Sequence, residues 1–220
     1  MRRLAILLAL VGCGTDEPDM MMEPPPGDMT ATAAQLRAVF ATCNVIGGPY
    51  SSDSGEMANI SICGATGAVA WTSDFDVDCD GKMSTQCNLQ TDPAYMSQTA
   101  ATDSMGDPLD AAMLPYVVVP GKSTRFDYRA AGLAMGSVFA VVYGDEVQYA
   151  VAGDVGPVAI VGEGSYALAD LLGIDPNPRT GGTDEPVLYI GFTNSVIDPI
   201  EDHDEAVSVG LERARALVQP

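Results

Sequence analysis

Apolar residues along this chain gather in short runs bounded by Gly, Pro, Asp and Ser, a pattern of β-strands more than of helices. Ile60 to Cys63, Ala68 to Thr72, Tyr116 to Val119, Ser137 to Tyr143, Val147 to Ala152, Val158 to Val161 and Val187 to Phe192 are predicted strands. Gly144-Asp145-Glu146 reads as a hairpin turn and Gly156-Pro157 as a second turn. Helical spacing shows in three places. Ala33 to Thr42 carries Leu36, Val39 and Phe40 near one face, Tyr166 to Leu172 has Ser165 as N-cap and Gly173 as its stop, and Leu211 to Val218 reads as a terminal helix. Many short strands without a strand-helix repeat exclude a doubly wound sheet and predict a mainly β fold, a barrel with a few short helices.

The first residues follow a different logic. Arg2 and Arg3 precede an apolar stretch from Leu4 to Val11, and Leu10-Val11-Gly12-Cys13 has the form of a lipobox. Eight apolar residues are too few to span a bilayer. The pattern predicts a lipoprotein signal over residues 1–12, cut before Cys13, whose thiol and new amino terminus take the lipid. Gly14 follows where an Asp would favour retention at the inner membrane, so the outer membrane or cell surface is the expected location. Residues 13–32, with Pro18, Pro24, Pro25 and Pro26 and no periodicity, are expected to form a disordered tether. Residues 33–220 are then expected to form one folded domain, long enough for a sizeable core.

With 30 acidic and 10 basic residues, the chain carries a net charge of -20. Nucleic acid is disfavoured as a partner, the lipid anchor is the only expected contact with membrane, and cations or polycations are favoured. Setting Cys13 aside leaves Cys43, Cys63, Cys79 and Cys87, an even set in an exported chain and hence two disulfides. Of three connectivities, Cys43 with Cys63 and Cys79 with Cys87 closes the more local loops. The single histidine, His203, lies in an acidic tail, which argues against His-dependent triads and zinc hydrolases. No cofactor is expected.

Two carboxylates stand out as a catalytic pair. Asp154 and Glu163 each follow a glycine at the end of an apolar run, where backbone holds a side chain rigidly. Asp74, Asp76, Asp78 and Asp80 alternate, so an extended segment would present them on one face, suited to pairing with ammonium groups. Asp76, Asp78, Asp80 and Gly81 also match the first half of an EF-hand loop, but Cys87 stands where the bidentate Glu is required, so the full EF-hand is broken and a smaller calcium site or a solvated acidic edge stay open as alternatives. Trp71, the single tryptophan, is a candidate stacking platform for a bound ligand and otherwise a core anchor.

Gly153-Asp154-Val155-Gly156-Pro157, then Gly162-Glu163-Gly164-Ser165, then the helix from Tyr166 to Leu172 resemble the chitosanases of glycoside hydrolase family 75. The family reads Gly-Asp-Thr-Gly-Pro and Gly-Glu-Ala-Ser, so Val155 and Gly164 are departures. Further matching blocks run from Cys63 to Trp71, Asp74 to Gly81, Pro108 to Asp110, Leu114 to Pro120 and Gly182 to Phe192. The resemblance implies endo-hydrolysis of β-1,4 bonds between glucosamine units of chitosan, with inversion at the anomeric carbon and Asp154 and Glu163 as the pair. Inversion requires carboxyl groups about 6.5 to 9.5 Å apart, leaving room for water. The order of elements from Tyr149 to Phe192 is also similar to double-psi β-barrels, in which Glu163 aligns with a proton donor; Glu163 is therefore expected as acid and Asp154 as base. Competing expectations are a peptidoglycan-cleaving double-psi barrel and a non-catalytic surface lipoprotein that binds carbohydrate.

Overall fold

The computed structural model describes residues 30–219. Cys13, the lipobox and most of the expected tether lie outside the described residues. Thr32 caps the first helix, α1 (Ala33–Val39), by accepting from the Gln35 amide while the Gln35 side chain accepts from the Thr32 amide. Eight strands follow: β1 (Val45–Tyr50), β2 (Ile60–Ala65), β3 (Ala68–Asp78), β4 (Tyr116–Pro120), β5 (Ser137–Tyr143), β6 (Glu146–Gly156), β7 (Glu163–Ser165) and β8 (Thr183–Val196). Helix α2 (Tyr166–Leu172) lies between β7 and β8, and α3 (His203–Val218) closes the described chain.

Six of the strands form a closed ring in the order β3-β7-β4-β6-β5-β8, with β8 returning to β3. The pairs β3–β7 and β4–β6 are parallel and the others antiparallel, so the ring is the double-psi-like barrel expected. Strands β1 and β2 extend it as an antiparallel hairpin from β3. Closure leaves no free edge within the ring. Side chains of one parity, among them Trp71, Phe75, Val117, Val119, Phe139, Val141, Ala150, Ala152, Val187 and Tyr189, form one buried core with Leu168 and Ala169 of α2. The other parity, including Ala70, Val138, Ala140, Val142, Val151 and Ile190, packs with Leu36 of α1 and Ala206 and Ala214 of α3. Burial on both faces is why the strands read as unbroken apolar runs.

Several expectations need correcting. Val158 to Val161 is no strand: it runs beside Ser51 in a single bridge, donating from the Val161 amide to the Ser51 carbonyl and accepting at Ala159 from the Ser51 amide. Strand β1 was not expected, because Gly47-Gly48-Pro49 carries the signature of a turn. Strand β3 continues six residues beyond Thr72, through the Asp-rich block. Helix α3 starts at His203, capped by Asp202 with Asp204 and Glu205 in its first turn, where acid complements the helix dipole. Both disulfides have the expected pairing, Cys43–Cys63 and Cys79–Cys87, and they mark the fold as one of an oxidising, extracellular environment.

Candidate active site

The parallel register of β3 and β7 sets Asp76 beside Glu163 and Asp78 beside Ser165. Strand β7 has only three residues, and its position depends on Ser165 at the head of α2. The buried Ser165 hydroxyl accepts from the Leu168 amide at 3.2 Å and the Tyr116 amide at 3.0 Å, and donates to the Leu114 carbonyl at 2.8 Å. One side chain thus caps the helix and ties β7 to β4.

Asp154 is aimed by a bulge. Val117 pairs with Ala152 and Val118 with Asp154, so Gly153 is an extra residue in β6, an irregularity that redirects the following side chain. Only glycine fits there: a Cβ would stand 2.6 Å from Cβ of Tyr116. Asp154 is buried, at 8 % exposure, and its Oδ1 accepts from the amides of Ala100 and Val155, each at 2.7 Å.

Asp154 and Glu163 line one cleft of about 550 Å³ together with Asp78, Asp80 and Asp92. Its far wall is the segment from Met96 to Ala100. That wall is fixed from below: Asp80 Oδ1 accepts from the Met96 amide at 2.6 Å, the Gly81 amide donates to the Met96 carbonyl, and Tyr95 Oη donates to the Gly81 carbonyl. Gly156, read from sequence as half of a turn, is the last residue of β6 and shapes the cleft; a Cβ there would stand 2.7 Å from Glu163 Oε2.

Proton affinities follow from this crowding of acids. Burial first, then Asp76, Asp154, Asp80 and Asp74, pushes Glu163 up to about 7. Burial also raises Asp154, but its two backbone hydrogen bonds favour the charged form and oppose that rise. Asp80 is raised to about 6, by burial and then by Asp154 and Asp92, against the Met96 hydrogen bond. The site therefore contains a carboxyl able to keep its proton near neutrality beside one whose hydrogen bonds favour ionisation, the division that acid-base hydrolysis needs.

The structure divides the Asp-rich block in two. Asp78 and Asp80 are in the cleft, whereas Asp74 and Asp76 flank it and gather with Asp53, their carboxylate oxygens all within 4.8 Å of one another. Asp76 and Asp78 are in extended strand, so the segment does not wrap into a calcium loop. Trp71 is corrected from sugar platform to core anchor: it is 1 % exposed, stacked on Tyr189 and edge-on to Phe139, with ring centroids 5.6 Å apart in both pairs. Sequence reasoning missed Tyr116, Ala100, Asp92 and Gly156; of these, only Gly156 lies within the motif that drew attention to the pair.

Residues 75–209 match the family described as fungal chitosanase of glycosyl hydrolase group 75. The chain belongs to glycoside hydrolase family 75. Among its relatives are an endo-chitosanase of Aspergillus oryzae, 33 % identical over 143 residues (60 % of this chain and 58 % of the relative). Endo-chitosanase B of the same fungus is 35 % identical over 129 residues, covering 55 % and 54 %. An endo-chitosanase of Aspergillus fumigatus is 31 % identical over 160 residues, covering 66 % of each chain. The chain spans a little over half the length of the two Aspergillus oryzae relatives. The match includes β3 from Phe75 onward, β4 to β8, α2 and the start of α3, and so the whole cleft.

Proposed function

We propose that this protein is an endo-acting chitosanase that hydrolyses β-1,4 bonds between glucosamine units with inversion, using Glu163 as general acid and Asp154 as general base. The observation that carries this reading is the pairing, in one acidic cleft, of a carboxyl raised to about 7 with a carboxylate held by two amides. Protonated Glu163 gives its proton to the glycosidic oxygen as the C1–O bond breaks. Ionised Asp154 takes a proton from a water whose oxygen attacks C1 from the opposite face. Each turnover leaves Glu163 ionised and Asp154 protonated, and exchange with solvent resets the pair.

Substrate charge supports the same reading. Chitosan carries ammonium groups near neutrality, and Asp80 and Asp92 in the cleft, with Asp53, Asp74 and Asp76 on its flank, supply counter-charge. The lipobox adds a proposed lipid anchor at Cys13, which would hold the enzyme at the outer membrane or cell surface. The stereochemistry is tested by proton NMR of the first products: inversion of a β-linkage gives the α-anomer before mutarotation, and initial β-anomer would contradict it.

A further inference from the structure

Asp78 ends β3 beneath the acid pair and takes no part in the proton transfers described above. Its Oδ1 accepts from the Asp80 amide at 2.8 Å. The Tyr116 hydroxyl lies 3.3 Å from Asp78 Oδ2 and 3.0 Å from the Asp80 carbonyl oxygen. A phenol has one proton to give. Were Asp78 ionised, both neighbours of that hydroxyl would be acceptors, and one would face its lone pairs unsatisfied. If Asp78 carries a proton, every group is matched: Asp78 donates to Tyr116, Tyr116 donates to the Asp80 carbonyl, and the Asp80 amide donates back to Asp78.

We propose that Asp78 is a positioning residue: a protonated carboxyl that closes a hydrogen-bonded ring with Tyr116 and the Asp80 backbone and so fixes the wall that orients Asp154. The path is continuous. Asp80 Oδ1 holds the Met96 amide, the Met96 to Ala100 segment lines the cleft, and the Ala100 amide holds Asp154 Oδ1. Surroundings favour the neutral form as well. Asp78 shows a part-exposed surface in the cleft, but its carboxyl is enclosed nearly as a core group is, and it faces the carboxyls of Asp80, Asp154 and Glu163 and the Tyr116 hydroxyl. Burial, followed by those three acids, holds it well above the ordinary carboxyl range, against the single opposing hydrogen bond from the Asp80 amide. Asp78, expected from sequence to pair with substrate ammonium groups, is thereby given a different task; this inference rests on the reading of the cleft as a hydrolytic site.

The test uses the full chain with its aspartate carboxyl carbons labelled with carbon-13. One carboxyl should keep the chemical shift of a protonated acid at neutral pH, and that signal should be absent from Asp78→Asn. Asparagine accepts from the Asp80 amide and donates to Tyr116 as the neutral acid does. Asp78→Asn should therefore keep the chitosan turnover and pH profile of the parent, whereas Asp78→Ala should lose on the order of 10- to 100-fold in kcat with little change in KM, as misplaced groups do. An ionised shift for Asp78 at neutral pH overturns the proposal whether or not chitosan is cleaved. So does an Asp78→Asn protein that folds and loses as much turnover as Asp78→Ala. If the parent chain releases nothing from chitosan while the protonated signal is present, the hydrolytic reading fails and the proton on Asp78 stands.

Discussion

Two carboxyls that look alike in the sequence, Asp154 and Glu163, are proposed to do different work. Both follow a glycine and both end an apolar run. Their environments separate them: Asp154 receives two amide hydrogen bonds at one oxygen, while burial and four neighbouring acids act on Glu163. None of those neighbours is adjacent to Glu163 in sequence, which is why the division of roles could be expected only from a resemblance. Glu163→Gln should lose about 10² to 10⁴ in rate on chitosan. It should recover most of that on a substrate whose leaving group departs without a proton, and azide should rescue Asp154→Asn by replacing activated water. Steady-state rates on both substrates check this, and equal losses for both variants would cancel the assignment. The pH profile carries the same sign. Activity that needs protonated Glu163 should fall as pH rises through about 7, and Glu163→Gln should lack that limb on the activated substrate.

Among the elements, legibility depended on whether a strand's two faces met similar surroundings. Ser137 to Tyr143 is buried almost throughout, and its predicted limits match β5. The sequence signal of β3 stops at Thr72, because beyond it Phe75 faces the core while Asp74, Asp76 and Asp78 alternate onto the side of the cleft and its flank, and so much acid reads as loop. Val158 to Val161 failed in the opposite direction. Its β-branched residues suit a strand, but pairing needs a partner in register, and it meets only Ser51. Strand β7 is too short to show any period, and what places it is one serine. Ser165→Ala would leave two buried amides and one carbonyl without their partner, at a cost of roughly 2 to 4 kcal/mol. It should also depress turnover by loosening β7, which begins with Glu163. Denaturant unfolding checks the first outcome and chitosan hydrolysis the second; a variant as stable and active as the parent would remove Ser165 from its role.

Considered whole, the molecule sets a closed barrel behind an acidic face. The five carboxyls of the cleft stand near the ends of β3, β6 and β7 and in or just after the loop closed by Cys79–Cys87, around an apolar interior that includes Trp71. A net charge of -20 is evident in the sequence, but its concentration around one cleft is not, because the acids come from two stretches, residues 78–92 and 154–163, that only the barrel brings together. Catalysis by this carboxyl pair is tested most directly by release of new reducing ends from chitosan by the purified chain, its Asp154→Asn variant and its Glu163→Gln variant. The parent chain should release oligosaccharide, and each variant should do so at a rate lower by about 10² to 10⁴, with folding intact. Undiminished hydrolysis by either variant, or none by the parent chain, would contradict it.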